Sequence, residues 1–161
     1  MATRKSITIA CTMATLAAAS AAVPLAASAQ RHHRSASDGR LVIGVRVDFT
    51  SATDAAGTFA ACCAVDDAGA ARAHVTSFTP RADNTADFEA TETLAGSAGT
   101  ITLALRGSTG PLDSARHIAR GGWSVTRGTG AYAGLEGRGR FRALTDEDTG
   151  ALTAINSGHA R

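Results

Sequence analysis

Residues 121–141, GGWSVTRGTGAYAGLEGRGRF, decide how the rest of the chain is read. They hold Gly121, Gly122, Gly128, Gly130, Gly134, Gly137 and Gly139 out of 17 glycines, with the single Trp, Trp123, and the single Tyr, Tyr132. Glycine costs backbone entropy on folding, so such density marks places that need positive φ or close approach of two backbones. Short alternating runs flank it, Trp123-Ser124-Val125 before and Gly139 to Ala143 after. The stretch therefore reads as strand, compact turn, strand. Gly128-Thr129-Gly130 followed by Gly134 falls just short of a dinucleotide fingerprint. That chemistry needs a helix whose N-terminus faces the pyrophosphate, and a strand follows here, so no cofactor is expected. The glycines shape the turn, and Tyr132 with Leu135 plug the end of the fold; direct ligand contact is the alternative.

Working outward, the same rhythm of short strands runs back to residue 40. Arg40–Phe49 alternates cleanly, with Leu41, Ile43, Val45, Val47 and Phe49 on one face. After a loop over Ser51–Gly57, further strands are predicted at Thr58–Val65, Ala71–Phe78, Phe88–Leu94 and Thr100–Arg106. Turns at Asp66–Gly69, Pro80–Asn84 and Ala95–Gly99 separate them. Gly107–Ser114 reads as a longer loop. Ala115–Arg120 starts a sixth strand or forms a helical turn, and Trp123–Thr126 continues or forms that strand. Arg138–Thr145 and Ala151–Asn156 complete eight. Short strands at this spacing, with almost no helical period, indicate an all-β sandwich or barrel.

The motif W-x-V-x-x-G-T-G-A-Y-A-G-L-x-G-x-G, from Trp123 to Gly139, resembles the signature turn of the allene oxide cyclase-like barrel family. The plant dirigent proteins carry a related turn. The resemblance is close over about twenty residues and loose over the remaining strands. It implies a single closed antiparallel eight-stranded β-barrel, calycin-like in outline, over residues 39–161. Trp123, Gly128, Gly130, Tyr132, Gly134, Gly137 and Gly139 form its structural turn. It also implies a homo-oligomer, trimer or dimer. Allene oxide cyclases guide cyclisation of a fatty-acid epoxide inside the barrel, and dirigent proteins steer coupling of phenoxy radicals. The acids and cysteines of this chain match no reactive residue of those families by the motif, so none is carried over.

Composition sets the bounds. The 161 residues are 44% hydrophobic and 19% charged, enough for one globular domain. Met1–Ala29 reads as a secretory signal, with Arg4 and Lys5 ahead of an apolar Ala-rich run and Ala27-Ser28-Ala29 as the cleavage site. A secreted protein starting at Gln30 is expected, with no stable membrane anchor. Residues 30–38 (QRHHRSASD) read as a polar tail, in which His32-His33 fix no metal geometry. Without Arg4 and Lys5 the cationic count falls from 16 to 14, equal to the 14 Asp and Glu. That balance argues against nucleic acid, whose binding rests on phosphate neutralisation.

Few residues offer chemistry, and no hydrolase or P-loop motif is present. Glu92 shares a face with Phe88, Ala90 and Leu94. If that face lines a cavity, burial raises its pKa and makes it an acid or ligand anchor; a twist or bulge would instead turn it to solvent. Phe141 lies inward with Gly139 and Ala143, and Cys63 with Phe59 and Val65. Glu92, Cys63 and Phe141 are thus the cavity candidates. Cys62 and Cys63 cannot bond within a regular strand, because adjacent residues face opposite ways. They read as two free thiols, or as a vicinal disulfide wherever the strand is distorted. With no second Cys pair or His spacing beside them, no metal site is expected. His74, grouped with Arg72, Thr76 and Phe78, and His117 show no partner, and His159 lies near the end. Arg138, Arg140 and Arg142 form one outward stripe, read as solvated and paired with carboxylates of a neighbouring strand. Small residues such as Ala61, Ala73, Ala90, Ala104 and Ala143 could leave a lumen unfilled, so a binder of a small apolar molecule is expected. A cyclase or isomerase and a ligand-free structural domain are the alternatives.

Overall fold

The computed structural model describes residues 39–161. The leader and tail expected over residues 1–38 lie outside the described residues. Eight strands follow in order: β1 (Arg40–Phe49), β2 (Asp54–Cys63), β3 (Asp67–Pro80), β4 (Ala86–Gly96), β5 (Gly99–Pro111), β6 (Arg116–Gly128), β7 (Gly137–Asp146) and β8 (Ala151–Ala160). Each pairs antiparallel with the next, and β8 returns to β1 through pairs such as Val45 with Ala154. The barrel is closed and leaves no sheet edge to pair with another chain. One 3-10 turn, Gly130–Tyr132, lies between β6 and β7.

The strands run longer than their patterns suggest. Residues 54–57, expected as loop, begin β2, and β5 continues through Gly107 to Pro111. Asp67, Ala68 and Gly69 start β3 instead of making a turn. Of the two readings of residues 115–120, the strand holds: β6 is continuous from Arg116. Val65 lies beyond the end of β2. Small residues and glycine hide a period of two, because they add little to an apolar count while their backbone still pairs.

Two bulges re-aim side chains. In β3 the register with β4 slips between Val75 and Ser77, so Thr76 is the extra residue. Val75 faces inward opposite Ala90, and beyond the slip Phe78 stands opposite inward Phe88. Simple alternation groups Phe78 with His74, whose side chain is exposed, and the bulge takes Phe78 to the opposite face. A second slip lies between β5 and β6, at Thr102 and Leu103.

The interior is divided along the barrel axis. At one end Leu41, Ile43, Leu94, Ile101, Leu103 and Trp123 are buried against one another. Tyr132 closes that end with no exposed surface, and Leu135 packs alongside. Gly130 has φ +60°, and a Cβ there would run into the backbone of Ala98 and Gly99. Only glycine takes this bend cheaply. The indole of Trp123 lies over Gly139 and Gly158, where any added Cβ would sit 2.7 Å from its ring. Its Nε1 donates to the carbonyl of Arg140 at 3.1 Å. Towards the other end the inward residues shrink to Ala55, Ala73, Ala90, Ala119, Ala143 and Ala154, and the lumen is not filled.

Candidate functional site

The unfilled half of the barrel is a cavity of about 150 Å³. Alanines of β2, β3, β4, β6, β7 and β8 make its wall, together with Val47, Leu105 and Leu152. Phe141 and Phe88 meet edge to face within it, their ring centroids 5.8 Å apart. Phe49 and Phe78, 40% and 58% exposed, stand at the mouth with Thr53, Thr109 and Thr145. Exposed aromatic rings of this size at the rim of an apolar hole carry a cost in water, so their placement is informative.

Glu92 is the one ionisable group lining this cavity, and it is 4% exposed. β4 carries it inward between Ala90 and Leu94, with no bulge in that strand's pairing to β5. The solvent-facing alternative therefore does not hold. Asn156 of β8 donates from Nδ2 to Glu92 Oε2 at 2.7 Å. Burial pushes the Glu92 carboxyl up to about 7, and the Asn156 hydrogen bond only partly offsets this. Near neutral pH the cavity floor therefore holds a carboxyl that can give or take a proton. Asn156 is fully buried, and its Oδ1 has no hydrogen-bond partner. A buried amide oxygen left bare costs on the order of 1–3 kcal/mol. In the sequence Asn156 is marked only as the last residue of the eighth strand. Its alternation with Leu152 and Ala154 placed it inward, which is the signal that marks it as a partner for Glu92.

The closed end has its own polar device. Tyr132 Oη donates to Asp67 Oδ2 at 3.1 Å. Asp67 Oδ1 also accepts from the amides of Ala68 and Ala98 and from Ser97 Oγ. Burial alone would raise the Asp67 pKa, but these four donors outweigh it and hold the carboxyl below its usual range. Burial and the same carboxylate hold the Tyr132 hydroxyl protonated. The sequence places Asp67 in a turn, and no local pattern marks its role; apart from the adjacent Ala68 amide, its partners lie about thirty and sixty-five residues away.

The remaining candidates fall elsewhere. Phe141 is in the cavity wall, but Cys63 is not. It sits at the exposed end of β2, beside the stoppered end, because its φ of +83° turns it out of the strand's alternation. Cys62 is exposed too, and its thiol is held above the usual range chiefly by the hydrogen bond with Cys63. The turn residues from Gly128 to Gly139 shape the stopper and lie away from the cavity. His74 and His117 do have partners on the outer wall, Asp54 and Glu147, each at 2.8 Å. His159 is within β8. Arg138, Arg140 and Arg142 face outward as expected, but no carboxylate stands opposite them. Their cross-strand neighbours are Ser124, Gly122 and Arg120 on β6 and His159, Ser157 and Ile155 on β8. A charged exterior around an apolar lumen is the reverse of the transmembrane-barrel pattern. Among the described residues no helix is long and apolar enough to cross a membrane, and no cluster of His, Cys, Asp and Glu could hold a metal ion. Comparisons with family models, with curated proteins and with solved structures return no significant match.

Proposed function

We propose that this protein binds a small hydrophobic molecule in the open half of its barrel. One observation carries the reading: an apolar cavity of about 150 Å³ with exposed aromatic lips and one buried carboxyl at its floor. A cavity of that volume is large enough for a benzene-sized guest. The ligand class is a single ring or short branched chain with a hydroxyl or carboxyl that meets Glu92. A longer tail would leave between Phe49 and Phe78. The leader-like residues 1–29 support an exported binder. A homo-oligomer would find an apolar side chain on the outer wall in Ile155, which is 57% exposed.

Native mass spectrometry and displacement of an apolar dye by small phenols and branched acids test the proposal. The wild-type chain should bind one equivalent, and Ala143→Leu, which fills the cavity, should lose binding at least tenfold while keeping its fold. Equal binding by both proteins would place the ligand elsewhere.

A second reading is favoured by Glu92 itself. A carboxyl with a pKa near 7 matches what proton transfer requires, and cyclisation or isomerisation in a dry pocket needs little else. In that case Glu92→Gln abolishes turnover and leaves ligand affinity nearly unchanged. The likeness of the Trp123–Gly139 turn to the allene oxide cyclase-like barrels points the same way.

A further inference from the structure

Cys62 and Cys63 end β2, and their Sγ atoms lie 3.1 Å apart. Neighbours in a regular strand point to opposite faces, so two adjacent thiols meet only where the strand gives way. It gives way here. Cys63 has φ +83°, and among the described residues only Asn84 shares a positive φ without being glycine. Asn tolerates that region through its short polar side chain, whereas cysteine has no such excuse. The distortion costs little pairing. β1 still pairs with both cysteines through Val42 and Leu41, but the ladder to β3 has already ended at Ala61 and Asp67. Both side chains are exposed and reachable.

We propose that Cys62 and Cys63 are a redox pair that closes into a vicinal disulfide, with a small-molecule disulfide as the oxidant. The thiolate of one cysteine attacks a sulfur of the oxidant, whose S–S bond breaks and releases one thiolate. The second cysteine, already in contact, attacks the protein sulfur of this mixed disulfide and expels the other half. The two protein thiols lose two electrons and two protons, and the oxidant leaves as two thiols. A strained ring of this kind is readily reopened by excess thiol, so the bond is a reversible modification and not a structural staple. Its position gives it reach. Only Ala64, Val65 and Asp66 separate Cys63 from Asp67, which holds Tyr132 in the stopper.

The test is intact mass of the full chain carrying Cys11→Ser, which removes the third cysteine of the sequence, incubated with oxidised glutathione and quenched in acid without reductant. The expected product is a monomer lighter by two hydrogens that retains no glutathione, with the loss mapped to the peptide bearing both cysteines. Cys62→Ser and Cys63→Ser should each stop at the mixed disulfide and keep one glutathione. Since both positions are exposed, all of these proteins should fold. Persistent glutathione on the protein with both cysteines, covalent dimers, or unreacted thiols would each overturn the proposal.

Discussion

Glu92 is a carboxyl buried against an amide, with no guanidinium at hand, and its energetics follow from that. Its pKa rises from 4.5 to about 7 in the folded chain, so above pH 7 the native state holds a charge that the unfolded chain would hold more cheaply. The shift corresponds to roughly 3 kcal/mol of stability lost by about pH 8. Glu92→Gln should recover most of it, since the replacing amide stays neutral; denaturant unfolding at about pH 8 against about pH 4.5 reads the difference, which should vanish at the lower value. The Asn156 hydrogen bond works against burial, so Asn156→Leu should move the Glu92 pKa further up, as seen by NMR titration of its side-chain carboxyl. A fall would mean that the amide is not the group stabilising the charge. At the other end, Tyr132→Phe removes one of four donors to Asp67 and should cost about 1.5–3 kcal/mol, the range for a hydrogen bond to a charged group. An unchanged unfolding midpoint would show that the stopper is held by packing alone.

Elements were legible where side chains are large. β1 shows its face through Leu41, Ile43, Val45 and Val47, and its ends are those of the alternating run. β2, β3 and β5 extend past their alternating runs through small, polar and turn-prone residues such as Asp54, Ala56, Asp67, Gly69, Ser108 and Gly110, whose pairing is set by neighbouring strands and not by their own pattern. The bulge at Thr76 leaves no trace in the pattern, because nothing in one strand reveals that its partner has one residue fewer, so alternation groups Phe78 with His74 instead of with Val75. The position of Glu92 was legible from alternation within β4, while Asn156 and Asp67 needed the barrel to be closed before their partners came within reach. The glycines of β7 and β8 carry the sharpest consequence at this scale. At Gly139 a methyl would sit 2.7 Å from the Trp123 ring and would also press on the backbone of Ser157 and Gly158. Backbone on one side and a buried indole on the other leave no direction of relief. Gly139→Ala should therefore cost about 2–3 kcal/mol, measured by chemical unfolding with Trp fluorescence. A neutral result would mean that β7 and β8 can separate without penalty.

The whole molecule combines two buried carboxyls that titrate in opposite senses. Asp67 lies below its usual range, so its contribution is present above pH 3.8 and is lost as pH falls through the folded value. Surface Asp54, Asp83 and Asp113 are lowered too and act in the same direction. Glu92 lies above its usual value, so its contribution is complete below pH 4.5 and declines as pH rises towards 7. The two windows overlap only in mild acid. Globular proteins are commonly most stable between about pH 5 and 8, but here the maximum should fall at roughly pH 4 to 5, between the two opposing losses. Thermal melts across that range check it, and the variants separate the two limbs. Glu92→Gln should flatten the neutral side and leave the acid side steep, moving the optimum upward. Asp67→Asn should flatten part of the acid side and leave the neutral side as it is. A ligand that bears its own carboxyl would bind Glu92 only in the protonated form, so its affinity should weaken by about tenfold per pH unit above 7. A ligand with a hydroxyl, which can donate to the ionised carboxylate, should lose little over the same interval. The pH profile of binding thus separates the two ligand chemistries that the cavity floor admits.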